Sequence, residues 1–142
     1  MVTSQQAESQ RPDDFKNFSD MLGTETLERG DGRSKVRMTI KPRHMQGAGV
    51  VQGGLLMALA DQAISSALGS LSPGMTVVTI EMKVNFIAPA REGVLVGEGR
   101  ITHKGNLISV GEATITDDKG RLILQALGTW MTPRPASMSA PA

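Results

Sequence analysis

The 142-residue chain has no cysteine and no tyrosine, and only one tryptophan, three phenylalanines and two histidines. Without a thiol there are no disulfides, cysteine nucleophiles or thiolate metal sites. So few aromatics do not make a platform for stacking single-stranded nucleic acid. His44 and His103 are distant in sequence and fall in no metal-ligand spacing, so no metal is expected. Charge of one sign is also missing: fifteen basic residues stand against fourteen acidic ones, a net charge of +1 with no long run of either. Phosphate-tracking surfaces need clustered Lys and Arg, so no nucleic-acid partner is expected. The longest apolar stretch, Gly53 to Ala60, falls well short of the ~20 residues of a membrane span. Met1 to Asp14 lacks the apolar core of a secretory leader, and the expectation is a cytoplasmic protein with no membrane partner. Dinucleotide and P-loop glycine patterns are missing, and so is the Gly-x-Ser-x-Gly elbow of a serine nucleophile.

What is present is ordinary for a globular chain: 39% hydrophobic and 20% charged residues, enough for one domain with a real core. Residues 1–12 and 134–142 read as flexible tails around a single domain over 13–133. Phe15, Phe18, Met21 and Leu22 recur at helical spacing after Asp14 and stop at Gly23, predicting a short N-terminal helix. Val36, Met38 and Ile40 alternate with polar residues, as a half-buried strand over 33–40 requires. From Leu55 to Gly69 the only charge is Asp61, which predicts a long central helix buried nearly all round. Val78 to Phe86 alternates cleanly, and β-like runs at 94–103, 107–116 and 122–131 follow, joined by short Gly-containing links. The expected fold class is α+β, an antiparallel sheet wrapped around one long helix.

Asp61 is the first candidate for chemistry, because a carboxylate in an apolar helix costs several kcal/mol of desolvation unless compensated. A bond to a neighbouring backbone group or to Ser65, one turn on, would satisfy it structurally. Gly53-Gly54 is the second, because helix-opening amides without a β-carbon over them can hold an oxyanion; a tight turn that only glycine fits is the plain alternative. Gly54 and Asp61 lie about two turns apart, ~10 Å along the axis, too far for one reacting centre to touch both in one chain. If they share a substrate, Asp61 comes from a second subunit. Ser65 is either a hydroxyl that orients that carboxylate or a water, or one that bonds back to its own helix, and Thr79 is either a polar residue of the strand's alternation or a hydroxyl aimed at the site.

The run Gln46-Gly47-Ala48-Gly49-Val50-Val51-Gln52-Gly53-Gly54, followed by Leu59-Ala60-Asp61, resembles the motif of hotdog-fold acyl-CoA thioesterases of the phenylacetate-degradation (PaaI-like) type. Val84-Asn85-Phe86 before Pro89-Ala90, His103-Lys104-Gly105 and Ala126-Leu127-Gly128-Thr129 extend the resemblance from Arg33 to Met131. It implies dimers, often paired into tetramers, that hydrolyse an acyl-CoA to free acid and CoA without a cofactor. By the same resemblance Gln46 helps hold the thioester carbonyl, the Gly53 N–H is the oxyanion donor, and Asp61 of the facing subunit attacks or activates water. Thr79 falls where relatives place a hydroxyl near that water, and Ser65 where another branch does. Gln52 replaces the His most relatives carry, so a role needing titration near neutral pH is lost there. The expected substrate contacts are Gln52, Gly54, Met57, Asn85, Arg91 and Lys104. Met57 and Met75 belong to the acyl pocket, and Arg134 is a further cation for CoA. The competing readings are a non-catalytic acyl-CoA or acyl-carrier binding protein, and, last, a hydratase, for which His44 lies outside the helix.

Overall fold

The structure, a computed structural model, describes residues 14–134. The tails expected over 1–12 and 134–142 lie, Arg134 apart, outside the described residues. Along the chain run α1 (Phe18–Leu22), β1 (Thr24–Gly30), β2 (Arg33–Thr39), α2 (Gly53–Leu71), β3 (Val78–Phe86), β4 (Val94–Lys104), β5 (Ile108–Asp117) and β6 (Leu122–Met131). The strands form one antiparallel sheet in the order β1-β2-β4-β5-β6-β3, curled about α2 as a hotdog fold.

Alternation decides which face of each strand meets the helix. Ser34, Val36 and Met38 of β2 are buried while Arg33, Arg37 and Thr39 face out. Leu95 of β4, Ile115 of β5 and Leu124 and Trp130 of β6 complete the wall against Leu59, Ala63, Ile64 and Leu68 of α2. Each large side chain buried there contributes ~1.5–3 kcal/mol. Glycine lets the layers approach closely: a β-carbon on Gly99 of β4 would overlap the Ala63 carbonyl of α2. The Ser34 hydroxyl donates to that same carbonyl, and Arg29 Nε donates to the Ser66 carbonyl at 3.1 Å, so the β1–β2 hairpin is pinned to the helix.

The N-terminal helix is shorter than its apolar spacing predicts, because Asn17, not Asp14, supplies the cap: its Oδ1 accepts the Asp20 N–H at 2.9 Å. It ends at Gly23, where φ is 74°. Strand β1 carries no sequence expectation; its one large apolar residue, Leu27, is exposed, so it leaves no alternation to read. Nor does β3 run on into the meander that follows. It crosses to the far side of β6 and becomes a sheet edge, Val78 opposite Met131 and Phe86 opposite Leu124. Helix α2 is buried on the sheet side, whereas Leu55, Met57, Ala58, Asp61, Gln62 and Ser65 remain half-buried. By length and composition its 19 residues are long and apolar enough to cross a membrane, although the sheet covers one side.

Candidate active site

The site is built from the segment that feeds α2. Pro42–His44 forms a single 3-10 turn, after which Met45 and Val51 bridge across a tight hairpin turned by Gly49 at φ 76°. Gln46 is held at its mouth: its N–H donates to the Val50 carbonyl at 2.8 Å, and its Oε1 accepts the Ala48 N–H at 3.1 Å. That leaves its side-chain NH2 to donate outward. The Gln52 carbonyl accepts from Leu55 and Leu56, and the Gln52 side chain makes no cap bond. The amides of Gly53 and Gly54 therefore have no partner among the described residues, and they lie at the positive end of α2.

A cleft of about 320 Å³ opens beside these donors. Gln46 and Gly53 line it together with Val50, Leu56, Phe86 and Ala88. A β-carbon on Gly53 would stand 3.3 Å from the Phe86 ring, so glycine here keeps the amide reachable beneath an aromatic wall. The cleft thus combines a polar corner with apolar sides, as a pocket orienting an acyl group requires.

Asp61 lies two turns along α2, and its partners come from the sheet rather than from its own helix. Thr79 Oγ1 donates to Asp61 Oδ1 at 2.7 Å, and Trp130 Nε1 donates to the same oxygen at 3.0 Å. Thr79 and Trp130 are cross-strand neighbours of β3 and β6, so one rung of the sheet supplies both donors. The other oxygen, Oδ2, has no partner among the described residues. A carboxylate anchored through one oxygen and free at the other is oriented to take a proton or attack a carbon. Ser65 makes no hydrogen bond to it.

Comparison with known proteins places the chain. The pattern of the thioesterase superfamily matches residues 48–124. The chain belongs to the thioesterase superfamily. A 1,4-dihydroxy-2-naphthoyl-CoA hydrolase of Escherichia coli is 34% identical over 95 residues, covering 66% of this chain and 69% of that protein. The solved structure of a conserved protein of Pseudomonas aeruginosa superposes with a TM-score of 0.80 at 27% identity, covering 84% of this chain and 95% of that one. The PaaI protein of the E. coli phenylacetic acid degradation operon has the same fold, with a TM-score of 0.77 at 23% identity over 82% of this chain and 83% of that one. The protein is a thioester hydrolase of PaaI-like hotdog fold.

In this thioesterase the remaining candidates divide by location. Gly54 is exposed beside Gly53, and Gln52 is exposed just before it. Arg91 follows the cleft residue Ala90, and its Nη1 donates to the Gly49 carbonyl at 3.4 Å. Asn85 is turned away: alternation sends Phe86 to the cleft and Asn85 to the outer face of the sheet, where its Oδ1 accepts from Lys83 Nζ at 3.3 Å. Lys104 ends β4, the strand end remote from the α2 N-terminus, and donates to the Gly105 carbonyl at 2.7 Å. Arg134 follows β6 at that same remote end. Met57 and Met75 are half-buried but do not line the cleft, whose apolar walls come from the hairpin and the end of β3. Sequence reasoning missed Phe86 as a cleft wall and Trp130 as a donor. The second carried a readable signal, since a buried indole N–H needs an acceptor and this chain has one tryptophan.

Proposed function

We propose that this thioesterase hydrolyses acyl-CoA esters at a site shared by two copies of the chain. The carrying observation is the division of labour along the unpaired edge of β3. Gly53 and Gln46 stand at the Phe86 end, and Asp61 with Thr79 stands at the Val78 end. Within one chain, the eight helical steps from Gly53 to Asp61 put the amide and the carboxylate ~12 Å apart. A thioester carbonyl cannot span that gap.

An edge strand invites pairing, and β3 with the residue after it has the surface for it: Val78, Ile80, Phe86 and Ile87 are 40 to 54% exposed. Two identical strands that pair about a twofold axis at their shared edge run antiparallel. Such pairing sets the Phe86 end of one protomer against the Val78 end of its partner. Each Gly53 amide then faces an Asp61 from the other copy, and the dimer holds two equivalent sites. Pairing of two such dimers into a tetramer is the further assembly we expect.

In this arrangement the thioester carbonyl lies in the cleft with its oxygen toward the Gly53 N–H and the Gln46 amide. Asp61 takes a proton from water through Oδ2 while Thr79 and Trp130 hold Oδ1. The water oxygen bonds to the carbonyl carbon, and charge collects on the carbonyl oxygen facing the helix end. The C–S bond then breaks, releasing the acid, and the CoA sulfur takes up a proton. One oriented oxyanion donor contributes ~10²–10³ in kcat, and a positioned general base ~10²–10⁴. Arg91, beside the cleft, meets the phosphates of CoA. A CoA thioester is supported by the relative named as a naphthoyl-CoA hydrolase. No cofactor is required by this chemistry.

The test is thiol release from a panel of aryl-, short- and long-chain acyl-CoAs by the wild type and Asp61→Asn. Turnover by the wild type with loss of at least ~10²-fold in the variant is expected. Equal turnover by both refutes the assignment, and tight CoA-ester binding without thiol release selects the non-catalytic reading.

A further inference from the structure

His44 lies outside the chemistry above, yet it is 2% exposed and every polar contact of its backbone belongs to the segment that builds the cleft. Its N–H donates to the Lys41 carbonyl at 2.9 Å, and its carbonyl accepts the Gln52 N–H at 2.9 Å. Between those two bonds runs the hairpin carrying Gln46, with Gly53 one residue beyond. The ring closes the same segment from inside: the Lys41 N–H donates to Nδ1 at 3.0 Å. That bond needs a lone pair on Nδ1, so the proton sits on Nε2 and the imidazole is neutral. Nε2 is buried without a well-formed hydrogen bond.

We propose that neutral His44 is a positioning residue for hydrolysis, a peg that holds the Lys41–Gln52 segment so that the Gln46 amide and the Gly53 N–H converge on the substrate carbonyl. The inference rests on the reading that those two groups hold the carbonyl. A proton added to Nδ1 would confront the Lys41 N–H with a second donor, and one of the two would have to move.

The surroundings agree. Burial is the largest influence holding the His44 pKa below its ordinary 6.5, Arg43 adds to it and Lys41 adds less, while the Leu22 carbonyl opposes them. The charged groups bearing on the ring are thus Arg43 and Lys41 of its own segment. Toward it α1 presents the Leu22 carbonyl, which does not titrate, while the Gln52 N–H of the segment leading into α2 meets the His44 backbone carbonyl rather than the ring. The sign follows: below 6.5 the unfolded chain binds a proton that the folded one resists. Stability is therefore lost as pH falls from the ordinary value toward the lowered one.

The experiment compares kcat, KM and thermal melting of the wild type, His44→Asn and His44→Ala from about pH 5 to 8, with Asp61→Asn in the same assay. Asparagine places Oδ1 where Nδ1 was, accepts the Lys41 N–H and cannot titrate. We expect His44→Ala to lose ~10–100-fold in kcat with KM little changed, the cost of a displaced site group. His44→Asn should restore neutral-pH kcat to within about threefold and lack the part of the acid decline, in rate and in melting temperature, that the wild type owes to this ring. A folded His44→Ala enzyme with wild-type kcat overturns the proposal, as does an acid decline in His44→Asn that superposes on the wild type's. Should His44→Ala not fold, the His44→Asn profile alone decides. Full activity in Asp61→Asn instead refutes the site reading itself, independently of His44.

Discussion

Trp130 Nε1 donates to Asp61 Oδ1 at 3.0 Å, joining the last strand of the sheet to the middle of the central helix. Trp130 is fully buried, so its N–H has no water to turn to, and the carboxylate and the indole satisfy each other. Replacing it with Phe keeps an aromatic in the core but removes the donor. We expect Trp130→Phe to lower kcat roughly tenfold and to cost about 1–3 kcal/mol, because Asp61 loses a charge-assisted hydrogen bond and the smaller ring leaves space. Steady-state thiol release and urea unfolding check the two effects separately. Unchanged kcat in a destabilised variant would make the contact purely structural.

Thr79 shares that oxygen of Asp61 at 2.7 Å. Thr79→Val is nearly isosteric and deletes only the hydroxyl, whereas Thr79→Ser keeps it. The expected order in kcat is wild type, then Ser within a few-fold, then Val lower by ~10–100-fold, with melting temperatures within a few degrees of one another. Equal kcat for Val and Ser would remove the hydroxyl from the account.

The close approach of α2 to β4 gives a stability prediction. An alanine at Gly99 overlaps the Ala63 carbonyl, while one at Gly54 meets nothing within 4 Å. Gly99→Ala should lose at least ~2–3 kcal/mol, and Gly54→Ala should be as stable as the wild type or slightly more so. Parallel denaturant titrations decide it, and equal midpoints would contradict the packing described.

Pairing through β3 predicts that a charge on its edge separates the copies. Ile80 is 50% exposed, so Ile80→Lys should leave the protomer folded. Sedimentation should then show a monomer, with thiol release down by more than ~10² because each site loses its Asp61. A fully active monomer would refute the shared site.

Much of this molecule was readable as sequence wherever side chains alternate against a dry face. The strand over 78–86, the three that follow it and the central helix all declare themselves by period, and Asp61 stands out as the one charge inside an apolar helix. What was not readable depends on which strands are neighbours. Leu27 faces solvent, so β1 shows no period. Nothing local to Val78–Phe86 says that it pairs with β6 and not with β4, and without that neighbour the Thr79–Trp130 rung cannot be foreseen. The same alternation that located the strand carries Asn85 to the outer face and Phe86 to the cleft, once it is known which face the helix covers.

The central claim is that amide and carboxylate come from different copies, and subunit mixing tests it most directly. Gly53→Pro deletes the helix-opening N–H at the first helical position, where the fixed φ of proline fits and the Phe86 ring has to give by a few tenths of an ångström, and Asp61→Asn deletes the base; each alone should be inactive. After mixing in equal amounts with subunit exchange, half of the dimers carry one of each chain. One of the two sites in such a dimer is intact, so the account predicts recovery to about one quarter of wild-type activity. A mixture as inactive as its components, with exchange verified, would show that each site is built within a single chain.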